Sequence, residues 1–255
     1  MDDEHIYAAP EQVENEVVGV LETINDFYSL FGFKPRYVLA TKPEKSLGKA
    51  VDWKEAEEKL ASALKKFDTK FEVAEGEGAF YGPKIEVHMK DSQGRNWQMG
   101  TAQLDLFMLP ERFNLNYIDA DGSRKMPWVI HRAIFGSFER LIGMLLEETG
   151  GALPLWLSPV QVSVLTINDK VVEYAKNVVK KLKENGLRTE LDARDETINK
   201  KIRETEMQKV PYILVVGEKE KESGTVNVRE RGVKDQKTIK LDEFIKNTSL
   251  KEKAA

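Results

Sequence analysis

Apolar residues recur at two different spacings along the first part of the chain. Between residues 13 and 31, and again between residues 53 and 67, they return every three or four positions, which is typical of amphipathic helices. Shorter apolar runs predict strands at residues 37–41, 71–73, 85–89, 96–107 and 126–131. The last three of these strands are joined by turns and not by helices, which favours an antiparallel sheet.

A further helix is predicted immediately after the last of these strands. Phe138, Leu141, Ile142 and Leu145 have helical spacing, so this helix should pack on one face of the sheet. Ser137 stands where an N-cap residue is expected.

Beyond residue 150 the pattern changes to strands that alternate with helices. Strands are predicted at residues 160–165, 187–191 and 210–217, and helices at residues 171–182 and 198–208. This alternation indicates βαβ units and a mainly parallel sheet. We therefore predict a mixed α/β protein: an α+β portion with an antiparallel sheet at residues 1–150, a proline-flanked linker at 151–159, and a compact α/β domain at 160–255.

Composition and charge narrow the class of protein. The longest apolar run is far shorter than a membrane span, and no signal-like segment opens the sequence. The chain has no cysteine, which excludes disulfides and thiolate metal ligands from its own residues and favours a cytoplasmic protein. The net charge is -4, but the part from residue 161 onward carries +4 and is the better candidate for a polyanionic partner.

Two residues of unusual type lie where the last strand of the first domain meets its helix. Arg140 follows core-type residues, and a buried arginine needs an anionic partner, which is either a structural carboxylate or a ligand phosphate. His131 is either a hydrogen-bonded core residue or a ligand. The residues alone leave both pairs of alternatives open.

A glycine-rich block at residues 75–84 is the second candidate for chemistry. Its three glycines permit close approach of backbone to a ligand, Tyr81 supplies a hydroxyl group and Lys84 a positive charge. The alternative is a hairpin corner that needs glycine and proline for its turn alone. Polar residues also interrupt the following strand and require hydrogen-bond partners, for which a bound small molecule is one candidate: Gln98, Thr101 and Gln103.

Three blocks, at residues 75–84, 97–105 and 130–140, together resemble the catalytic domain of the class II aminoacyl-tRNA synthetases, specifically the threonyl-tRNA synthetases. The similarity continues from Trp156 to about Leu241 into that family's anticodon-binding domain. The resemblance implies ATP-dependent ligation of threonine to tRNA(Thr). A different class II enzyme, such as the prolyl or glycyl enzyme, is disfavoured by the paired His5 and His131.

The resemblance also implies roles for individual residues. Two cations are implied to contact the ATP phosphates: Arg140 and Lys84. Two histidines are implied to bind the active-site zinc ion: His5 and His131. The implied amino-acid pocket contains Asp3 at the substrate hydroxyl, Tyr81 near the amino group, and Gln98, Thr101 and Gln103 along its wall.

In the second domain, the resemblance implies that Glu220 and Arg229 contact anticodon bases. They lie in a predicted turn at residues 217–224 and the edge strand that follows it. The residue types suit the role, because arginine can read a guanine edge and a carboxylate can accept from a base N–H group. The alternative is an exposed, solubilising hairpin. Nearby cations are expected to follow the phosphate backbone: Lys200, Lys201, Arg203 and Lys209.

The sequence departs from the family's pattern at its beginning. The family's third zinc ligand is a cysteine upstream of the position of His5, and motifs 1 and 2 also lie upstream. We therefore expect a fragment, a split subunit or an inactive paralogue that is catalytically incomplete alone. The implied partners are tRNA(Thr), threonine, ATP with Mg²⁺, and an amino-terminal region or partner chain; the full-length family implies a homodimer. The alternative function is a non-catalytic tRNA-binding or regulatory module.

Overall fold

A computed structural model describes the backbone of residues 1–253 and the side chains of residues 1–248. The chain divides into two compact units, residues 1–147 and the part from residue 148 onward. No helix within the described residues is long and apolar enough to cross a membrane.

The first unit consists of short strands and three long helices. Its elements are β1 (Glu4–Ala8), α1 (Val13–Ser29), β2 (Arg36–Ala40), α2 (Ala50–Lys66), β3 (Phe71–Ala74), β4 (Lys84–Lys90), β5 (Asn96–Asp105), α3 (Met108–Arg112), β6 (Tyr117–Ile118), β7 (Arg124–Lys125), β8 (Trp128–Ala133) and α4 (Phe138–Thr149). The main sheet has the strand order β1-β8-β5-β4-β2-β3, and β6 pairs with β7 in a separate small hairpin.

The antiparallel arrangement expected for the three turn-connected strands is confirmed. β4 pairs antiparallel with β5, and β5 pairs antiparallel with β8. β1 extends the sheet on the other side of β8, also antiparallel. Among the strands of this sheet, β2 and β3 form a parallel pair.

The two faces of this sheet differ in chemistry because side chains alternate along each strand. In β4, Ile85, Val87 and Met89 are buried, while α1 and α2 pack against the sheet. The alternate positions Lys84 and Glu86 are half-buried on the opposite face. This second face is left for polar groups from several strands.

Helix α4 only partly follows the prediction for its apolar stripe. Ser137 does cap it, since its Oγ accepts the backbone N–H of Arg140 at 3.3 Å. Leu141 and Leu145 are buried, but Phe138 and Ile142 are about half exposed. The buried stripe is therefore narrower than the apolar pattern indicated.

The second unit alternates strands and helices as predicted. Its elements are β9 (Val162–Thr166), α5 (Val172–Glu184), β10 (Thr189–Asp192), α6 (Ile198–Met207), β11 (Tyr212–Val216), α7 (Glu218–Ser223), β12 (Thr225–Glu230), β13 (Lys237–Lys240) and α8 (Leu241–Lys253), with short 3-10 turns at Leu155–Leu157 and Asp169–Val171. The sheet order is β10-β9-β11-β12-β13.

The mixed α/β class is confirmed, but the second sheet is less parallel than predicted. β9 is parallel to β10 and β11, whereas β12 is antiparallel to β11 and to β13. The predicted turn at 217–224 contains helix α7, which ends at Gly224 with φ +63°. The sequence pattern missed β13 and α8.

The segment that the sequence suggests as a linker is held by arginines of the second unit. Arg231 donates to the backbone oxygens of Ala152 and Leu153, at 3.2 and 2.7 Å. Arg188 donates to the backbone oxygens of Trp156 and Ser158. This segment is therefore fixed to the second unit by charge-assisted hydrogen bonds.

Candidate active site

Strand register places four predicted residues in one row across the polar face of the first sheet. His5 is opposite His131, His131 is opposite Gln103, and Gln103 is opposite Lys84. Directly opposed residues on one face have Cβ atoms roughly 5 Å apart. Residues far apart in sequence therefore meet at one place on the sheet.

The two histidines and Asp3 form a group that can hold a metal ion. One ligand atom from each of Asp3, His5 and His131 lies within 4.8 Å of the other two. The two imidazole rings meet edge to face, with centroids 4.5 Å apart. Two imidazoles and a carboxylate are a donor set that zinc accepts, so the residues present fit the ion that the resemblance implies. Asp3 lies beside the histidines as a third candidate ligand, whereas the resemblance implies that it binds the substrate hydroxyl.

Asp105 contacts His131 of this group, and the sequence pattern did not identify Asp105 as a site residue. It is fully buried at the end of β5, and its Oδ2 lies 3.1 Å from Nε2 of His131. The backbone N–H groups of Phe107, Met108 and Leu109 also donate to the carboxylate, at 3.1, 2.7 and 3.0 Å. Burial acts to raise the pKa of Asp105, but the hydrogen bonds from His131 and the three N–H groups outweigh it and lower this pKa.

Tyr81 and Gln103 form the next part of the row. The Tyr81 hydroxyl donates to Oε1 of Gln103 at 3.0 Å, and its ring centroid lies 5.7 Å from that of His131. Within the described residues the buried Nε2 of Gln103 has no hydrogen-bond partner. Buried amide groups are normally satisfied, so this N–H suits an acceptor on a bound ligand. Burial, with Asp105 and Asp3 nearby, raises the pKa of Tyr81.

The fold explains why glycine precedes Lys84 at the edge of this group. A Cβ atom at Gly82 would lie 1.7 Å from the backbone oxygen of Leu104. The backbone N–H of Leu104 also donates to the oxygen of Pro83 at 3.0 Å. Glycine therefore permits the close approach that seats Tyr81 and Lys84 against β5.

Lys84 is paired within the polar face. Its Nζ lies 2.6 Å from Oε1 of Glu86, and Oε2 of Glu86 lies 2.9 Å from Nε2 of His88. Burial acts to raise the pKa of Glu86, but the hydrogen bonds from Lys84 and His88 outweigh it and lower this pKa. Glu86 and His88 are half-buried beside Lys84.

Thr101 and Gln98 lie further along β5. Thr101 is opposite Glu86, and its hydroxyl donates to the backbone oxygen of Ile85 at 3.2 Å. The backbone oxygen of Gln98 accepts a hydrogen bond from the guanidinium group of Arg140. Gln98 and Gln103 are separated by a strand length of roughly 16 Å. The polar face is thus extended along β5, with the histidines near one end and Arg140 near the other.

Arg140 is exposed, which corrects the expectation that it is buried against an anion. Its guanidinium carbon lies 5.5 Å from the centroid of the Trp97 ring, a cation–π contact. Both residues line a shallow cavity of about 570 Å³ beside α4. The guanidinium is exposed because only one narrow stripe of α4 is buried, and Arg140 lies outside that stripe.

Asp2 organises the turn that leads to Arg140, a role that the sequence pattern does not indicate. Its carboxylate accepts the backbone N–H groups of Ile134, Phe135 and Gly136 at 2.7, 3.3 and 2.9 Å. Gly136 has φ +72°, and a Cβ there would meet the oxygen of Met99 at 2.4 Å. A short acidic side chain thus fixes a turn that only glycine can complete.

The two predicted anticodon residues have different environments in the second unit. Oε2 of Glu220 accepts the backbone N–H of Gly217 at 3.0 Å, which caps helix α7. Arg229 is half-buried, and its Nε has no hydrogen-bond partner in the part of the chain that the structure describes. Arg229 lines a concavity with several charged residues, and Glu220 is not among them: Glu206, Lys209, Glu230, Arg231 and Lys234.

Lys201 does not have the exposed position expected of a phosphate contact. It is 1% exposed, and its Nζ donates to the backbone oxygen of Thr166 at 2.9 Å. The neighbouring Lys200 is exposed and pairs with Glu196 at 2.5 Å. Lys201 therefore stabilises the ends of the strands, and Lys200 is the lysine that solvent reaches.

Two family models match the chain. One, described as the tRNA synthetase class II core domain (G, H, P, S and T), matches residues 1–149. The other, described as the anticodon binding domain, matches residues 161–251.

Individual relatives give the same result. The threonine–tRNA ligase of Caldanaerobacter subterraneus subsp. tengcongensis is 51% identical over 244 residues, and that of Desulforamulus reducens is 51% identical over 245 residues. Each match covers 96% of this chain and 38% of the ligase, so the chain spans 38% of the length of these two relatives. The resemblance noted in three sequence blocks is confirmed.

A solved structure is similar over both units. It is the RNA binding domain of threonyl-tRNA synthetase from Cryptosporidium parvum Iowa II, with a TM-score of 0.87 and 44% sequence identity. The match covers 98% of this chain and 62% of that one.

Proposed function

This chain belongs to the class II aminoacyl-tRNA synthetases whose core domain is shared by the glycine, histidine, proline, serine and threonine enzymes, and we propose that it takes part in ATP-dependent ligation of threonine to tRNA(Thr). In this proposal residues 1–150 supply part of the active site, residues 151–159 form the linker and residues 160–255 the anticodon-binding module. The observation that carries the proposal is the row formed by His5, His131, Gln103 and Lys84.

We assign the histidine end of the row to threonine. His5 and His131 would hold a zinc ion, with Asp3 as a third ligand of this chain or as the group that accepts the substrate hydroxyl. When bound, the ion supplies a Lewis acid that coordinates the amino and hydroxyl groups of threonine and so rejects valine, which lacks the hydroxyl. The free amide N–H of Gln103 and the hydroxyl of Tyr81 orient the amino acid from the adjacent strand.

We assign the remainder of the polar face to ATP, which enters with Mg²⁺. Lys84 lies in the row with Gln103, while Arg140 with Trp97 forms a cationic and aromatic surface at the far end of β5. Cations at these two places hold the phosphates and offset the charge that develops when the threonine carboxylate attacks the α-phosphate. The polar side chains between them line the same pocket: Gln98 and Thr101.

In the second unit we assign Arg229 and Glu220 to the anticodon. The buried Nε of Arg229 lacks a hydrogen-bond partner among the described residues, and the concavity that Arg229 lines carries three further cations against two carboxylates, which favours a polyanion. Glu220 can accept from a base with the oxygen that does not cap α7. We further propose that the enzyme is cytoplasmic and homodimeric, and that residues upstream of the matched segment, on this polypeptide or a partner chain, complete the site.

A binding experiment with a stable threonyl-adenylate analogue tests this assignment. Calorimetry should detect saturable binding to the chain, weakened at least tenfold by Lys84→Ala and by Gln103→Ala. Lys54→Ala is the matched control, because Lys54 is exposed on helix α2. The chain alone should catalyse no threonine-dependent ATP–pyrophosphate exchange, and exchange should appear when the upstream part of the Caldanaerobacter ligase is added.

The alternative, a non-catalytic tRNA-binding or regulatory module, makes a different prediction. It rests on the second unit, which matches the anticodon binding domain and carries an Arg229 Nε without a hydrogen-bond partner among the described residues. In that case a tRNA(Thr) anticodon stem-loop would bind, and Arg229→Ala would weaken that binding. The adenylate analogue, however, would not bind even with the upstream part present.

A further inference from the structure

Hydrogen bonds to both oxygens fix the carboxylate of Asp105 next to His131. Oδ1 accepts the backbone N–H groups of Phe107 and Met108, and Oδ2 accepts the N–H of Leu109. Oδ2 also lies 3.1 Å from Nε2 of His131. Three backbone donors hold both oxygens, so the carboxylate cannot turn away from the imidazole.

We propose that Asp105 is a positioning residue that locks His131 in the tautomer protonated at Nε2 and thereby presents its Nδ1 lone pair to the ligand side of the site. An ionised carboxylate is an acceptor only, so the imidazole nitrogen facing it must carry the proton. A neutral imidazole has one N–H group, which leaves Nδ1 as the nitrogen able to bind a metal ion. The inference rests on the proposed function, which assigns His131 to the zinc site.

Two neighbouring aromatic rings also restrict the orientation of the His131 imidazole. The opposite strand brings the ring of His5 to a centroid distance of 4.5 Å, and the ring of Tyr81 lies at 5.7 Å. The imidazole is therefore held by packing on two sides and by Asp105 at Nε2. Carboxylates that orient metal-binding histidines in this way typically contribute 10–100-fold to metal affinity.

Asp105 also has a purely structural use, since the same N–H groups begin helix α3. The variant Asp105→Asn separates the two roles. Asparagine keeps an oxygen for the N–H groups of Phe107 and Met108 and gives up only the bond from Leu109. Its amide NH₂ can then face His131, where it would require Nε2 to become an acceptor and move the proton to Nδ1.

Asp91 provides the matched control. Its side chain is also fully shielded, and it accepts the backbone N–H groups of Gln93 and Arg95 at 3.0 and 2.8 Å. Its side-chain partners are Arg95 and Trp97, and it has no histidine contact among the described residues. Asp91→Asn therefore removes a comparable carboxylate without touching the histidine group.

The experiment measures the tautomer of His131 by two-bond ¹H–¹⁵N correlation in the full chain at pH 8, without metal. We expect Nε2–H in the wild type and in Asp91→Asn, and Nδ1–H in Asp105→Asn. Zn²⁺ is then titrated against a competing chelator. We expect 10–100-fold weaker binding to Asp105→Asn and a change below twofold for Asp91→Asn.

The results that would overturn the inference are equally specific. A wild-type chain with Nδ1–H, which needs no variant to observe, would contradict it, as would an unchanged tautomer or unchanged zinc affinity in Asp105→Asn. If the tautomer switches in Asp105→Asn but the wild type binds no zinc, Asp105 is confirmed as the residue that orients His131. The zinc assignment of the proposed function would then be wrong.

Discussion

In residues 1–147 the candidate residues come from four strands and meet on one face of a sheet, whereas in the second unit they do not meet at one place. His5, His131 and Gln103 are neighbours only because three strands pair in one register. Glu220 caps the helix that it belongs to, and Lys201 is enclosed within its own unit.

The difference shows which kind of evidence supports each assignment. Chemically suited groups that converge from distant segments, with an amide N–H left unsatisfied, support a binding site by geometry alone. A charged residue that already satisfies a local structural need gives no such support. The anticodon assignment therefore depends more on the relatives, with Arg229 as its strongest geometric element.

Gly82→Ala should have the largest effect, because its Cβ would lie 1.7 Å from the backbone oxygen of Leu104. Relief of this overlap requires the segment with Tyr81 to move away from β5 and from Gln103. We expect the free energy of unfolding to fall by about 3 kcal/mol or more, measured by urea denaturation. Gly19→Ala in α1 is the control, since nothing lies within 4 Å of the added Cβ and no loss is expected. Equal stability of the two variants would contradict the close approach.

Lys201→Ala tests the corresponding feature of the second unit. Loss of the buried stem and of the bond from Nζ to the oxygen of Thr166 should cost about 2 to 3 kcal/mol of unfolding free energy. Lys200→Ala, one position away on the exposed face, should change stability by less than about 0.5 kcal/mol. The unfolding free energy of each variant is measured by chemical denaturation. If Lys200→Ala proves the more destabilising, the burial of Lys201 is wrong.

Asp2→Ala should have an intermediate effect on the first unit. It removes the acceptor for three backbone N–H groups in the turn that ends at Gly136, at an expected cost of about 1 to 2 kcal/mol. Faster amide hydrogen exchange should be confined to residues 134–136 and the start of α4. Asp26→Ala, on the surface of α1, is the control and should leave exchange in this turn unchanged.

The smallest predicted effect is a loss of stability in acid. The pKa of Asp91 is lowered to about 2 from 3.8 because hydrogen bonds from Trp97 and Arg95 outweigh its burial, and the pKa of Asp105 is lowered as well. Groups with a lowered pKa stabilise the folded state above their unfolded pKa, and this contribution is lost as the pH falls through the folded pKa. The urea midpoint of the first unit should therefore decrease between about pH 4 and pH 2. Asp91→Asn should show a shallower decrease; an equal slope would exclude Asp91 as a source.

Periodicity predicted the elements whose apolar residues are numerous and regularly spaced. The strands around Ile85 and Ile130 and helix α1 belong to this group. Helix α8 and strand β13 were missed because their few apolar residues, such as Leu241 and Phe244, are separated by many polar ones. The roles of individual residues came from the resemblance and not from periodicity.

Two misjudged side chains and one that was missed show why their environments could not be predicted from the sequence. Lys201 lies beside Ile202 on the buried side of helix α6, and its burial depends on the backbone oxygens of Thr166 and Asp192, which lie on two strands. Arg140 belongs to an apolar-looking helix that buries only part of its stripe. Asp105 sits in an apolar run, and its contact with His131 appears only when β5 pairs with β8. Each case is decided by tertiary pairing, which has no local signature.

The pairing of β1 with β8 has a thermodynamic consequence. An ion bound by both His5 and His131 would join two points far apart on the chain and act as a cross-link that closes a very long loop. Because the unfolded chain lacks this paired geometry, occupancy would be linked to folding: at a free ion concentration one hundred times the dissociation constant, the folded unit gains about 2.7 kcal/mol. The melting temperature of the protein would then rise with the concentration of the ion, and this rise would report its binding.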